Sequence, residues 1–280
     1  MDERNFPAHA TKHLPVLDYF LPDRTPVAIS QDNAGTDSTG RTVWLGAQVL
    51  SLYLHDLLSR SRPPHGAARP RAIDLGSGTG LVALTLASLA YDTLATDLGC
   101  IVDSVLRRNV ETHASKLGGA RLEAHTLDWF EPPERWSWPA ASEEDAAAGR
   151  APLAPPFDLV STADTVYDSS LIDPLLSTLL ALCLPSSASR ASAAPPPPIY
   201  LALERRDPAL VDSFFARAAG PPFGFKCSRV EHARIKKLVE DRAGTLGWED
   251  EEEWEGVEVW KLKLGREAVA RARRERAAKE

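Results

Sequence analysis

The stretch Asp74-Leu75-Gly76-Ser77-Gly78-Thr79-Gly80-Leu81 decides the fold. A short apolar run, Arg71–Leu75, leads into it, and a run of good helix formers, Leu81–Ala90, leaves it. In a strand, glycine turn and helix, the backbone can approach a ligand closely and the helix N-terminus faces it. Two cofactors compete for such a turn. The dinucleotide fingerprint is G-x-G-x-x-G, whose third glycine lets helix and strand pack closely. Here the spacing is G-x-G-x-G, and Leu81 stands three positions after Gly78. Asp74 precedes the glycines, where a carboxylate opposes a pyrophosphate and favours an ammonium. S-adenosylmethionine has an ammonium and no phosphate, so the turn suits it better. Asp97, 21 residues after Gly76, ends the next apolar run and can accept both hydroxyls of a ribose, which either cofactor presents.

Outward from this turn, strand-like and helix-like pieces alternate. Strands are expected at Arg71–Leu75, Thr93–Thr96, Leu122–Thr126, Phe157–Ser161 and Ile199–Leu203, and helices at Leu81–Ala90, Val102–Lys116, Leu171–Leu184 and Asp207–Ala219. Near-continuously apolar strands in a β-α-β order imply a parallel sheet covered on both faces. Phe225–Val230 and Val257–Leu264 read as a final pair, at least one antiparallel, joined by a polar, acidic stretch. Gly40–Leu58 should hold a further helix. The expected fold class is therefore α/β: a Rossmann-like, doubly wound seven-strand sheet, mostly parallel, with a C-terminal antiparallel strand.

The organisation that follows has three parts: an N-terminal extension over 1–39, one domain over 40–264, and a charged tail over 265–280. Low-complexity stretches at Ser61–Pro70, near 139–156 and near 185–198 read as surface insertions in that domain. Glu249–Glu255 holds six acids in seven residues and reads as a solvated loop. The tail has six bases against three acids and little apolar face, which suits a solvated helix.

Composition narrows the class. The chain has 280 residues, 44% hydrophobic, enough for a sizeable core and against disorder, collagen or coiled coil. Its longest near-apolar run, Leu81–Ala90, is about half of what a membrane span needs. Met1-Asp2-Glu3-Arg4 opens without an apolar signal segment. A net charge of −7 argues against nucleic-acid binding through bulk electrostatics. Cys100, Cys183 and Cys227 are far apart and in no metal-ligand spacing, so no metal is expected, and reduced thiols in a cytosolic or nuclear compartment are.

Four segments in order resemble the class I, seven-strand methyltransferases, and more narrowly the methyltransferase-like family 16 of protein lysine methyltransferases. They are Gly40-Arg-Thr-Val-Trp44-Leu-Gly-Ala47, the turn Asp74–Gly80, Leu127-Asp128-Trp129, and Asp164-Thr165-Val166-Tyr167. No N-P-P-Y follows the fourth strand, as base and glutamine methyltransferases have, and the arginine methyltransferases' T-H-W is absent. The resemblance implies a protein lysine methyltransferase using S-adenosylmethionine. It implies that Trp44, Asp74, Gly76, Ser77, Gly78, Asp97, Trp129 and Ala163 bind the cofactor. Trp129 would lie against the adenine, Asp97 would take the ribose, and Ala163 would leave room beside it. Asp164 and Tyr167 would carry catalysis, and Glu204-Arg205-Arg206 would organise the substrate side. The partner would be a protein, typically a translation factor or chaperone. Apart from the resemblance, a monomer in the cytoplasm or nucleus is expected.

A lysine amine must lose a proton before it attacks, a handicap of roughly 4 kcal/mol near neutral pH. Desolvation lowers it. Asp164 also favours the charged amine, so positioning is expected of it rather than base catalysis; Tyr167 could offer an aromatic face to a cation. A structural alternative has Asp164 capping the following helix and Tyr167 packing on it. Three other classes stay open: a small-molecule methyltransferase, an NAD-dependent oxidoreductase on a similar sheet, and a silent cofactor-binding scaffold.

Overall fold

The computed structural model describes residues 4–33, 39–61, 68–141, 147, 149–184, 195–248 and 250–277. A two-strand hairpin, β1 (Val16–Phe20) with β2 (Pro26–Ser30), precedes the helix Leu45–Leu58. The main sheet then takes β3 (Arg71–Leu75), β4 (Asp92–Asp97), β5 (Leu122–Thr126), β6 (Leu159–Ala163), β7 (Ile199–Glu204), β8 (Phe225–Arg229) and β9 (Val257–Leu264). Their order is β5-β4-β3-β6-β7-β9-β8, all parallel except β9, which runs antiparallel to both β7 and β8. This is the expected seven-strand α/β sheet. Its connections reverse direction between β3 and β6, the switch point outside which ligands bind in open α/β sheets.

Alternate strand residues feed two cores. Ala72, Ala95, Tyr200, Ala202 and Val259 pack on one face beneath the helices Leu45–Leu58 and Leu81–Ser88. Ile73, Leu94, Val160, Leu201 and Leu262 pack on the other beneath Ile172–Cys183 and Pro208–Ala219. Burial on both faces explains why these strands read as unbroken apolar runs.

The differences from the sequence expectation have local causes. The fourth sheet strand is Leu159–Ala163, two residues later than expected, because Asp158 uses its carboxylate to accept the Arg71 N–H at 2.8 Å. The chain enters the ladder only at the Ala72–Leu159 pair. The second helix begins at Gly99, widens into a π-helix at Val102–Leu106, returns to α-helix over Arg107–His113 and closes in a 3-10 turn, Ala114–Lys116, at the expected end. A helix, His232–Glu240, occupies part of the polar stretch between β8 and β9, burying Ile235, Leu238 and Val239. Of the insertion near 139–156, residues 142–146 and 148 lie outside the described residues, while Leu153 is fully buried beside Phe157. Most of the stretches at 61–70 and 185–198 also lies outside them. In the tail helix Arg266–Ala277, Ala268 is buried against Gly224.

The hairpin was not expected. Its alternation is legible in hindsight: Leu17, Tyr19, Val27 and Ile29 face the core. Two buried polar side chains of the helix Arg107–His113 tie it down. Asn109 accepts the Ser30 N–H at 2.8 Å and donates to the carbonyls of Ser30 and Thr79. His113 Nε2 accepts the Ala28 N–H at 3.1 Å while Nδ1 donates to the Asn109 carbonyl, which sets a neutral tautomer. No helix among the described residues is long and apolar enough to cross a membrane. Asn109→Ala should cost roughly 2–4 kcal/mol, because it strands an N–H and two carbonyls in the interior. Urea unfolding would measure it, and a loss under about 1 kcal/mol would mean that the hairpin is held by other contacts.

Candidate active site

At the switch point a cavity of about 630 Å³ opens above the C-terminal ends of β3, β4, β6 and β7. That is the size of a cofactor pocket. The structure brings all ten residues singled out from sequence to its walls: Trp44, Asp74, Gly76, Ser77, Gly78, Asp97, Trp129, Ala163, Asp164 and Tyr167.

The glycine turn is locked from below. Ser77 donates its hydroxyl to the Asp74 carbonyl at 3.0 Å and its N–H to Thr96, and Thr96 Oγ1 also donates to the Asp74 carbonyl. The Asp74 carboxylate is buried and accepts the Ser161 hydroxyl at 2.6 Å across the β3–β6 pair. Gly76 is required by a close approach: a Cβ there would lie 2.7 Å from Thr165 Cγ2 and 3.2 Å from the Trp129 ring. Asp97 accepts the N–H groups of Gly78 and Leu98, both at 2.8 Å, one on each carboxylate oxygen. Trp129 Nε1 is buried without a hydrogen-bond partner among the described residues.

At the other end, Asp164 adopts φ +56°, an uncommon conformation for a non-glycine residue. Its N–H donates to Ala202, continuing the β6–β7 ladder, and its carboxylate accepts the Ala47 N–H at 3.2 Å. A Cβ on Gly46 would lie 2.5 Å from that carboxylate. Gly46 and Ala47 therefore belong to the site, a role invisible in sequence because their partner is more than a hundred residues away. The helical turn after the motif is capped by Asp168, which accepts the Ser170 N–H, so Asp164 does not cap the following helix; it takes a first-turn N–H of the helix Leu45–Leu58 instead. Nor does Tyr167 pack inward: it is 57% exposed at the mouth, with Phe130 and Leu98 also exposed. Burial raises the pKa of its hydroxyl, and the charges of Asp97 and Asp168 add to the rise.

The cavity is acidic. Asp74, Asp97, Asp128, Asp164, Glu204 and Asp207 line it, and Arg206, paired with Glu204, is the one basic residue lining it among the described residues. Burial pushes the carboxyl of Asp74 up to about 7, against a lowering hydrogen bond from Ser161. Asp97 is pushed to about 6 for the same reason, against the two N–H donors. Residue 164 keeps some exposed surface, yet its carboxyl is enclosed and burial raises it to about 7. Such a lining suits a cation and opposes a pyrophosphate. No group of side chains among the described residues could hold a metal ion.

The family profile described as "Lysine methyltransferase" matches residues 22–218, well over half of the chain. The chain belongs to that family. It is 30% identical over 151 residues to methyltransferase-like protein 22 of Mus musculus, covering 51% of this chain and 35% of that one. It is 28% identical over 154 residues to the protein-lysine methyltransferase METTL21E of Bos taurus, covering 54% and 46%. The chain thus spans less than half the length of these relatives. Among solved structures, SMU.776, designated a methyltransferase and complexed with SAH, superposes with a TM-score of 0.50 at 11% identity, covering 90% of this chain and 56% of that one. At that identity the likeness concerns the fold.

A carboxyl whose pKa is raised on folding favours the folded state when protonated. Its contribution is full below about pH 4 and is lost as pH rises through 6 to 7. Asp164→Asn should therefore raise the unfolding free energy of the ligand-free protein at about pH 8, on the order of 2 kcal/mol, and change little at about pH 4. Thermal unfolding at the two pH values checks this. A loss of stability at the higher pH would instead place the carboxylate in a favourable ion pair with Arg206.

Proposed function

We propose that this protein is an S-adenosylmethionine-dependent protein lysine N-methyltransferase. One observation carries the reading: the turn and ribose-type acid at one end, and Asp164 with Trp44 at the other, line a single acidic cavity. The residues present fit that cofactor. Asp97 keeps its carboxylate at the cavity wall while accepting two N–H groups, and its remaining lone pairs suit ribose hydroxyls. The unpartnered Nε1 of Trp129 and the ring beside Gly76 suit an adenine, and Gly76, Ser77, Gly78 and Ala163 leave backbone open to the amino-acid end. Bound there, the cofactor supplies an electrophilic methyl group on a sulfonium.

The chain's own part is alignment. Asp164, held by the Ala47 N–H, faces the acceptor end and would hydrogen-bond the incoming ammonium. Burial raises its carboxyl to about 7 in the ligand-free protein, and an ammonium beside it would favour the carboxylate, so its part is to position the amine. Trp44 and Tyr167 offer aromatic faces to cationic groups at the entrance. Exposed Tyr167, Phe130 and Leu98 form an apolar rim suited to a folded partner surface rather than a small polar metabolite. A protein substrate follows, met in the cytoplasm or nucleus by a monomer. The family's translation factors and chaperones are the first to test.

Asp97→Ala should weaken cofactor binding by roughly 10- to 100-fold in calorimetry. Gly46→Ala should leave binding intact and cut turnover by roughly 100-fold, because its Cβ displaces the Asp164 carboxylate. The direct assay uses tritiated cofactor and a methylation-deficient lysate, resolved by gel and mass spectrometry. One labelled band bearing methyl-lysine, absent with Asp164→Ala, is expected. Cofactor binding without any labelled protein would move the reading to a small-molecule acceptor or a silent scaffold.

A further inference from the structure

One lysine of the chain itself stands over Trp44, a residue of the cavity wall. Lys12 Nζ lies 3.3 Å from the centroid of the Trp44 ring, and the Arg206 guanidinium lies 5.1 Å from the same ring. Its ammonium is close enough to feel the charges of Arg206, Asp164 and Glu204, and all three of these residues line the cavity. Half-burial lowers its pKa, with Arg206 adding to the fall and the two acids opposing it.

This placement is built rather than incidental. Buried Gln31 donates to the carbonyls of Thr11 and Leu14, on either side of Lys12, and accepts the N–H of Val43, next to Trp44. One amide thus clips the lysine segment to the tryptophan segment. Asn33 also donates to the Lys12 carbonyl at 3.1 Å. Upstream, Gln48 donates to the Phe6 carbonyl, and Asn5 exchanges hydrogen bonds with the backbone of Phe20. The backbone at Lys12 is fixed, while its side chain keeps the freedom of an unbranched stem.

We propose that Lys12 is a substrate of its own active site, an intramolecular methylation site. The inference rests on the methyltransferase reading above. The Lys12 ammonium gives up a proton, and the Nζ lone pair attacks the methyl carbon of S-adenosylmethionine. The carbon–sulfur bond breaks with its electron pair kept by sulfur, which releases S-adenosylhomocysteine, methyl-lysine and one proton. Asp164, whose charge reaches Lys12, would receive that proton. Methylation leaves the cation over Trp44 and adds apolar bulk there, so the modified lysine is held better by the ring.

The full chain, incubated with S-adenosylmethionine alone, should gain methyl groups on the peptide that contains Lys12 and not on those of Lys116 or Lys226. The rate per molecule should be unchanged on tenfold dilution. Lys12→Arg should remove the label while keeping the fold. A readout independent of turnover is the reactivity of each lysine towards an acylating reagent. Lys12 should react at lower pH than Lys116, and added S-adenosylhomocysteine should alter Lys12 alone. A bare Lys12 in a preparation that methylates a lysate protein overturns the inference and spares the proposed function. Label that falls with dilution overturns the intramolecular step. No methyl on any protein, with the cofactor bound, overturns both.

Discussion

The loop after β6 closes over the loop after β3 with no room for a side chain at residue 76, and the site depends on that approach. Thr165 and the Trp129 ring occupy the space that a Cβ would need. For the two loops to meet there, β3 and β6 must be neighbours, and Asp74 and Ser161 join them by a short buried hydrogen bond just below the turn. The same adjacency turns the chain at Asp164 into a positive φ, which aims its carboxylate at the Ala47 N–H instead of at the following helix. Strain of this kind costs about 1–3 kcal/mol and persists only where the surroundings enforce it. Here the enforcing contacts are the Ala202 carbonyl on one side and the small residue Gly46 on the other.

Electrostatics gives that geometry its purpose. Three carboxyl groups sit in one cavity, each raised by burial, with Arg206 the one base lining it among the described residues. The ligand-free fold therefore carries a cost above neutral pH that a cationic ligand relieves. Active sites are where such unfavourable burial is tolerated. A pyrophosphate would add negative charge to this lining, which separates the site from dinucleotide chemistry more firmly than the glycine spacing does.

Much of this was legible along the chain. The limits of β3, β5 and β9 agree with sequence reading because turn residues and apolar runs bracket them. The four motif segments lie at strand ends or helix starts, so their residues converge once strand order is known. Other features rest on partners far apart in sequence. The hairpin is secured by Asn109 and His113, and the N-terminal turn by Gln31, through polar side chains that look like ordinary surface residues in a list. The helix His232–Glu240 has a mean polarity that hides three inward apolar residues. Leu153 is the one residue that the described part of a stretch rich in alanine, proline and acid buries in the core, and periodicity cannot register a single residue.

By itself the sequence determined the layered α/β sheet, the turn with its two acids, and the family, since each depends on local periodicity or on short motifs. Tertiary structure alone decided that Gly46 must be small, that Asp168 and not Asp164 caps the turn after the motif, and that Lys12 stands over Trp44. Those facts concern the distance between segments that only folding brings together. Spacing along the chain carries no information about that distance until the hydrogen bonds of the sheet and the clip at Gln31 set it.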